Sequence, residues 1–159
     1  MPKVVERFRS AIAALGKPGR SKTAAGPADS AAAPSALAVV KEGTCRSELE
    51  TIFHDAGWRL IVEHSIESAL QLQRREPTPV VLYDRDLPDG CWREAVVSFS
   101  RLSPRPCLVL LAQRPDKNLW DEVVRCGGFD VLRMPVERDT VIRTVSAAWT
   151  IWRHQYQRS

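Results

Sequence analysis

The sequence predicts an α/β domain in which a parallel β-sheet is covered by helices on both faces. Three observations carry that prediction. Five short apolar runs alternate with five longer segments whose apolar residues recur at helical spacing. Two of the runs, residues 79–84 and 107–112, are apolar almost throughout, as strands buried on both faces require. The segments between runs are long enough to cross back over a sheet, which parallel pairing needs.

At 159 residues and 44% apolar content, the chain has room for one domain of ordinary size and a short appendage. Residues 3–15 place Val4, Val5, Phe8, Ala11, Ile12 and Leu15 at helical spacing with Arg7 and Arg9 off that face, the pattern of a short basic amphipathic helix. Such a helix is too short to be stable alone. Residues 1–15 are open between a segment that docks on a protein groove or makes membrane contact at an anionic surface, and a leader without fixed structure. Residues 16–35 are mostly Gly, Pro, Ala, Ser and Lys; they cannot bury enough to offset the entropy of ordering and read as a flexible linker.

The domain is expected over residues 36–158. Residues 36–40 form its first strand, and 45–56 a helix with Leu49, Ile52 and Phe53 inward and Gly57 as its stop. A second strand is expected at 58–62, then a helix at 65–75 with Ser65 as N-cap and Glu67 and Ser68 in its first turn. The third strand, 79–84, ends abruptly in Asp84, Asp86, Pro88 and Gly90. The helix at 91–102 has Trp92, Val96, Val97 and Phe99 as its inner residues, and 107–112 is the fourth strand. A helix at 117–126 closes on Gly127-Gly128, and the fifth strand, 129–133, closes on Met134-Pro135. A final helix at 137–157 carries Val141, Ile142, Val145, Ala148, Trp149 and Trp152 on one stripe.

Composition narrows the function. No apolar run approaches the ~20 residues of a membrane span, and the start lacks the apolar block of a secretory signal, so a cytoplasmic protein is expected. The cysteines at 45, 91, 107 and 126 include no C-x-x-C pair, and the histidines at 54, 64 and 154 no H-E-x-x-H, so reduced thiols are expected and no structural zinc. Net charge is +4, but residues 1–36 hold six basic and two acidic side chains and the rest is neutral. The basicity belongs to the tail and does not mark the body as a nucleic-acid binder. Lys41-Glu42-Gly43-Thr44 lacks the glycine pattern of a phosphate-binding loop, and no nucleophile arrangement suggests a hydrolase.

The stretch Leu82-Tyr83-Asp84-Arg85-Asp86-Leu87-Pro88-Asp89-Gly90 resembles the third-strand motif D-x-x-[LM]-P-[DG] of response regulator receiver domains of two-component signalling. Gly127-Gly128-Phe129-Asp130-Val131-Leu132-Arg133-Met134-Pro135 resembles their fifth-strand pattern G-A-x-D-[YF]-[LI]-x-K-P. The likeness covers about residues 36–157. It implies a flavodoxin-like (βα)5 three-layer sandwich with a five-stranded parallel sheet, and a phosphoacceptor aspartate at Asp84. In the family, an acidic pair after the first strand and a backbone carbonyl at the Asp86 position hold Mg²⁺. Here that pair is Lys41 and Glu42, which leaves Glu42, Asp84 and Asp86 as metal candidates and an expected cofactor of none or weakly bound Mg²⁺. The family's phosphoryl-binding hydroxyl falls on Leu111, or on Ala112 one residue further, its lysine on Met134, and its switching aromatic on Val131. Losing one charged contact to a phosphoryl group costs ~1.5–3 kcal/mol.

The leading reading is therefore a stand-alone, atypical receiver-like module in signal transduction. It is not an enzyme and acts by protein–protein contact with a histidine kinase, a downstream effector or a second copy, with phosphorylation at Asp84 absent or inefficient. The runner-up is a working single-domain response regulator that accepts phosphate at Asp84 in a phosphorelay, and a small-ligand binder or enzyme on the same fold is a third class. Lys41 is expected to set its ammonium against Asp84 where a divalent cation would sit; the other reading is a lysine extended into solvent. Trp92, Trp120 and Trp152 are candidate contact residues, Trp92 being open between a cap on the acidic site and a ring packed on its own sheet.

Overall fold

Strands that are apolar on both sides can be accommodated only in the middle of a sheet, and that is where Val80–Asp84 and Cys107–Ala112 lie, with every residue buried. In the computed structural model, residues 33–88 and 90–157 are described. The chain divides into two units, Met1–Ala33 and Pro34–Ser159. The basic helix expected at 1–15 and the linker expected from 16, as far as residue 32, lie outside the described residues.

The domain alternates β1 (Ser35–Val39), α1 (Thr44–Ala56), β2 (Arg59–Glu63), α2 (Ile66–Arg75), β3 (Val80–Asp84), α3 (Trp92–Ser100), β4 (Cys107–Ala112), α4 (Lys117–Cys126), β5 (Asp130–Arg133) and α5 (Arg138–Gln157). All pairings are parallel and the order across the sheet is β2-β1-β3-β4-β5. Elements therefore begin and end within two residues of their expected positions. The edge strands β2 and β5 are only partly buried.

Local chemistry sets several of these boundaries. Ser65 Oγ accepts the Ser68 backbone N–H at 3.2 Å and caps α2. Asp116 Oδ1 does the same for Leu119 at 2.8 Å and caps α4. Gly57 takes the left-handed conformation, φ 71°, that ends α1.

Strand alternation divides the core between the two faces of the sheet. Ala36, Ala38, Leu82, Val109 and Leu111 meet Leu49 and Phe53 of α1 and Val141 and Val145 of α5. Leu37, Val39, Val81, Tyr83 and Leu110 meet Ala69 of α2, Val96 and Phe99 of α3 and Val123 of α4. This is the three-layer sandwich that the sequence predicts. On α3 the buried stripe is Trp92, Ala95, Val96 and Phe99, with Val97 half-buried at its margin. Among the described residues no helix is long and apolar enough to cross a membrane.

Candidate functional site

The strand order reverses direction at β1 and β3, so the connections leaving them diverge and open a crevice at the carboxyl edge of the sheet. A cleft of about 490 Å³ lies there. Lys41, Glu42, Thr44, Cys45 and Glu48 line it from the β1 side, and Asp84 and Asp86 from β3. Gln113, Met134 and Pro135 close it from the ends of β4 and β5.

Asp84 is the last residue of β3 and only 2% exposed. Its Oδ1 accepts the Asp86 backbone N–H at 2.9 Å, and the Arg85 N–H donates to the Leu111 carbonyl at 3.0 Å. The buried carboxylate thus folds the loop that follows it.

Lys41 differs from expectation. Its Nζ donates to the backbone carbonyl of Asp86 at 3.4 Å, and the ion pairs among the described residues include none between Lys41 and Asp84. The ammonium lies against the loop after Asp84 and not against its carboxylate. Glu42 turns outward: its side chain is 82% exposed and lies 3.5 Å from Arg46, one helical turn on, which also pairs with Glu50 at 2.9 Å. Glu42, Arg46 and Glu50 thus form an exposed i,i+4 ladder along the start of α1.

The metal set expected at Glu42, Asp84 and Asp86 is accordingly corrected. Among the described residues, no three His, Cys, Asp or Glu side chains converge in a way that could hold a metal ion. The donor set does not fit the divalent cation that the family likeness implies, because the Glu42 carboxylate at the cleft rim is paired with Arg46 and an ammonium contacts the Asp86 carbonyl.

The remaining family positions are equally altered. Leu111 is fully buried on the α1/α5 face and Ala112 on the other, so neither offers a hydroxyl. Met134 lines the cleft where a lysine would stand, and Val131 is half-buried in the α2/α3/α4 core.

The structure adds groups that the sequence reading missed. The Gln113 amide belongs to the cleft, one residue beyond the end of β4. The Cys45 thiol is pushed up to about 11, first by burial and then by the Asp84 and Glu48 carboxylates, and so stays neutral. Glu48 Oε2 is buried without a hydrogen-bond partner. Helical spacing from Cys45 to Glu48 on α1 was the available signal, since residues three apart share a face.

The tryptophans separate into distinct roles. Trp92 is 5% exposed and packs in the α2/α3/α4 core, which is the packed reading of the two left open for it and removes it from the candidate contact residues. Its place in the 92/95/96/99 stripe is the physical reason. Trp120 is half-buried, with its Nε1 donating to Asp130 Oδ1 at 3.0 Å. Trp152 is half-buried and stacks on Tyr156 at 4.9 Å, leaving Tyr156 as the exposed large apolar side chain among the described residues, at 55%.

No protein-family model matches the chain, and no curated protein matches it. Solved structures do. The signal receiver domain of an HD domain-containing protein from Pseudomonas fluorescens superposes with a TM-score of 0.72 at 18% identity, covering 80% of this chain and 94% of that one. The beryllofluoride-activated NtrC4 receiver domain dimer gives 0.68 at 18%, covering 74% and 98%. The chemotaxis protein CheY4 of Vibrio cholerae gives 0.67 at 19%, covering 73% and 98%. The described domain has the receiver fold.

Proposed function

We propose that this chain is a receiver-like signalling module that works by protein–protein contact, with phosphorylation at Asp84 absent or inefficient. The observation that carries the proposal is the state of the cleft: Lys41 Nζ rests on the Asp86 carbonyl while Glu42 faces solvent beside Arg46. In the receiver fold this edge of the sheet does the chemistry, and the chemistry depends on neutralising the transferring oxygens. Here the cleft offers one ammonium, no lysine at Met134 and no hydroxyl at Leu111. Each missing charged contact removes ~1.5–3 kcal/mol from a phosphorylated state. Two such losses lower its population on the order of a hundredfold or more.

Contact is then what remains for the domain to do. The aromatic end of α5, where Tyr156 stacks on Trp152, offers area to a partner at low entropic cost. A histidine kinase, a downstream effector or a second copy is the class of partner that the fold suggests, and the NtrC4 receiver, similar in fold, is a dimer in its activated form.

The test is incubation with acetyl phosphate and Mg²⁺, read by intact mass beside Asp84→Asn. The wild-type chain is expected to keep its unmodified mass. A stoichiometric gain of one phosphoryl group that Asp84→Asn abolishes would establish instead a working response regulator.

A further inference from the structure

The acidic cleft raises the question of what balances it. Asp84 is 2% exposed, Glu48 carries a buried oxygen without a partner, and both act on the Cys45 thiol between them strongly enough to help raise it to about 11. Asp86 and Glu42 bring the carboxylates of the lining to four. Glu42 is held outward by Arg46, and the cationic side chain lining the cleft is Lys41.

We propose that Lys41 is a resident counter-ion: its ammonium takes the place of a divalent cation at this edge of the sheet and holds the Asp84–Asp86 loop without metal. This deepens, and rests on, the reading of Asp84 as a site not set up for phosphoryl transfer. Three physical points support it. The ammonium reaches the backbone carbonyl of Asp86, a hard oxygen donor, at 3.4 Å. A divalent cation approaching the same carbonyl would stand beside the ammonium and meet like-charge repulsion. Asp84, Asp86 and Glu48 line one cleft with Lys41, and Glu48 Oε2 is buried without a hydrogen-bond partner. A carboxylate in place of the ammonium at position 41 would add to this lining the donor that it lacks.

Lys41→Asp replaces the ammonium by a carboxylate and changes the local charge by two units. Lys41→Met removes the ammonium and adds no donor. Lys41 is exposed, so neither change is expected to disturb the core, and thermal melts of both variants serve as the folding control.

Calorimetric titration with MnCl₂ of the full chain provides the readout. The wild-type chain is expected to show no saturable binding through the millimolar range. Lys41→Asp is expected to gain a single site at least about a hundredfold tighter, and Lys41→Met a smaller gain. Saturable one-site binding by the wild-type chain that Asp84→Asn removes would overturn the proposal. So would a folded Lys41→Asp that binds no better than wild type, because the remaining donors would then not form a site. Phosphorylation of wild-type Asp84 without metal binding would sink the functional reading and leave the lysine assignment standing, so the two failures are distinguishable.

Discussion

Replacing Trp92 by alanine measures whether this ring is core or contact surface. The side chain is 5% exposed at the first position of α3, packed among the Ala95, Val96 and Phe99 stripe and the sheet face of Val81 and Tyr83. A buried tryptophan removes roughly 150–250 Å² from water, which at ~25 cal/mol per Å² is about 4–6 kcal/mol. A partly compact unfolded chain lowers this estimate, which brings it to the ~3–5 kcal/mol measured for large aromatic truncations in cores. At roughly 4 °C per kcal/mol, the melting temperature should fall by ~12–20 °C. Urea unfolding followed by far-UV circular dichroism is the assay, because it does not depend on the fluorophore removed. A loss below ~1 kcal/mol would refute the burial argument and return Trp92 to the surface.

Three further predictions concern the cysteines and the α4–β5 turn. Cys91 is exposed and held below the usual thiol range, chiefly by the backbone N–H groups of Arg93 and Glu94 at the start of α3, so it should be alkylated first. Burial raises the Cys45 thiol to about 11 and the Cys107 thiol to about 12. Both thiols then stay protonated in the folded chain after they ionise in the unfolded one. The stability that they contribute is complete below pH 9 and is lost as pH rises toward 11 and 12. Melts at pH 8 and pH 10 should show a drop that Cys107→Ala reduces, and an unchanged drop would contradict the assignment. Gly128→Ala would place a Cβ 2.4 Å from Val123 Cγ1 and 3.0 Å from its carbonyl. Val123 is fully buried and cannot move aside, so a loss of ~1–3 kcal/mol is expected in urea unfolding.

The fold was legible because its determinants are local and redundant. The unbroken apolar runs of β3 and β4 can only be interior strands, Ser65 and Gly57 mark helix ends by their own chemistry, and helical spacing separates the helices from the runs. The one-residue displacements of β1 and β2 reflect pairing, which a run cannot state alone: Val40 lies beyond β1, yet its N–H is bound by the Glu63 carbonyl at 3.2 Å.

The site was legible by position and less so by contact. Asp84, Lys41 and Met134 were placed at the right strand ends. Which atom Lys41 would reach was not decided by sequence, because a long flexible side chain at a strand end can meet either the carboxylate or the carbonyl two residues on. Glu42 stands in the cleft lining as expected, but its carboxylate pairs with Arg46, four residues later. Gln113 and Glu48 enter the cleft only through the closure of β4 and α1 around β3, a tertiary relation without a local pattern. Trp92 carried both signals, being at the mouth of the acidic loop and on the buried stripe, and the stripe won because burial of an indole outweighs its exposure at a rim.

The most direct measurement compares phosphoryl incorporation in the wild-type chain with that in a chain carrying Lys41→Asp and Met134→Lys together. These substitutions return a carboxylate beside Asp84 and a cation at the end of β5. With acetyl phosphate and Mg²⁺, the proposed function predicts an unmodified wild-type mass and a gain of one phosphoryl group in the double variant that Asp84→Asn removes. Equal, Asp84-dependent incorporation in the wild-type chain would contradict it.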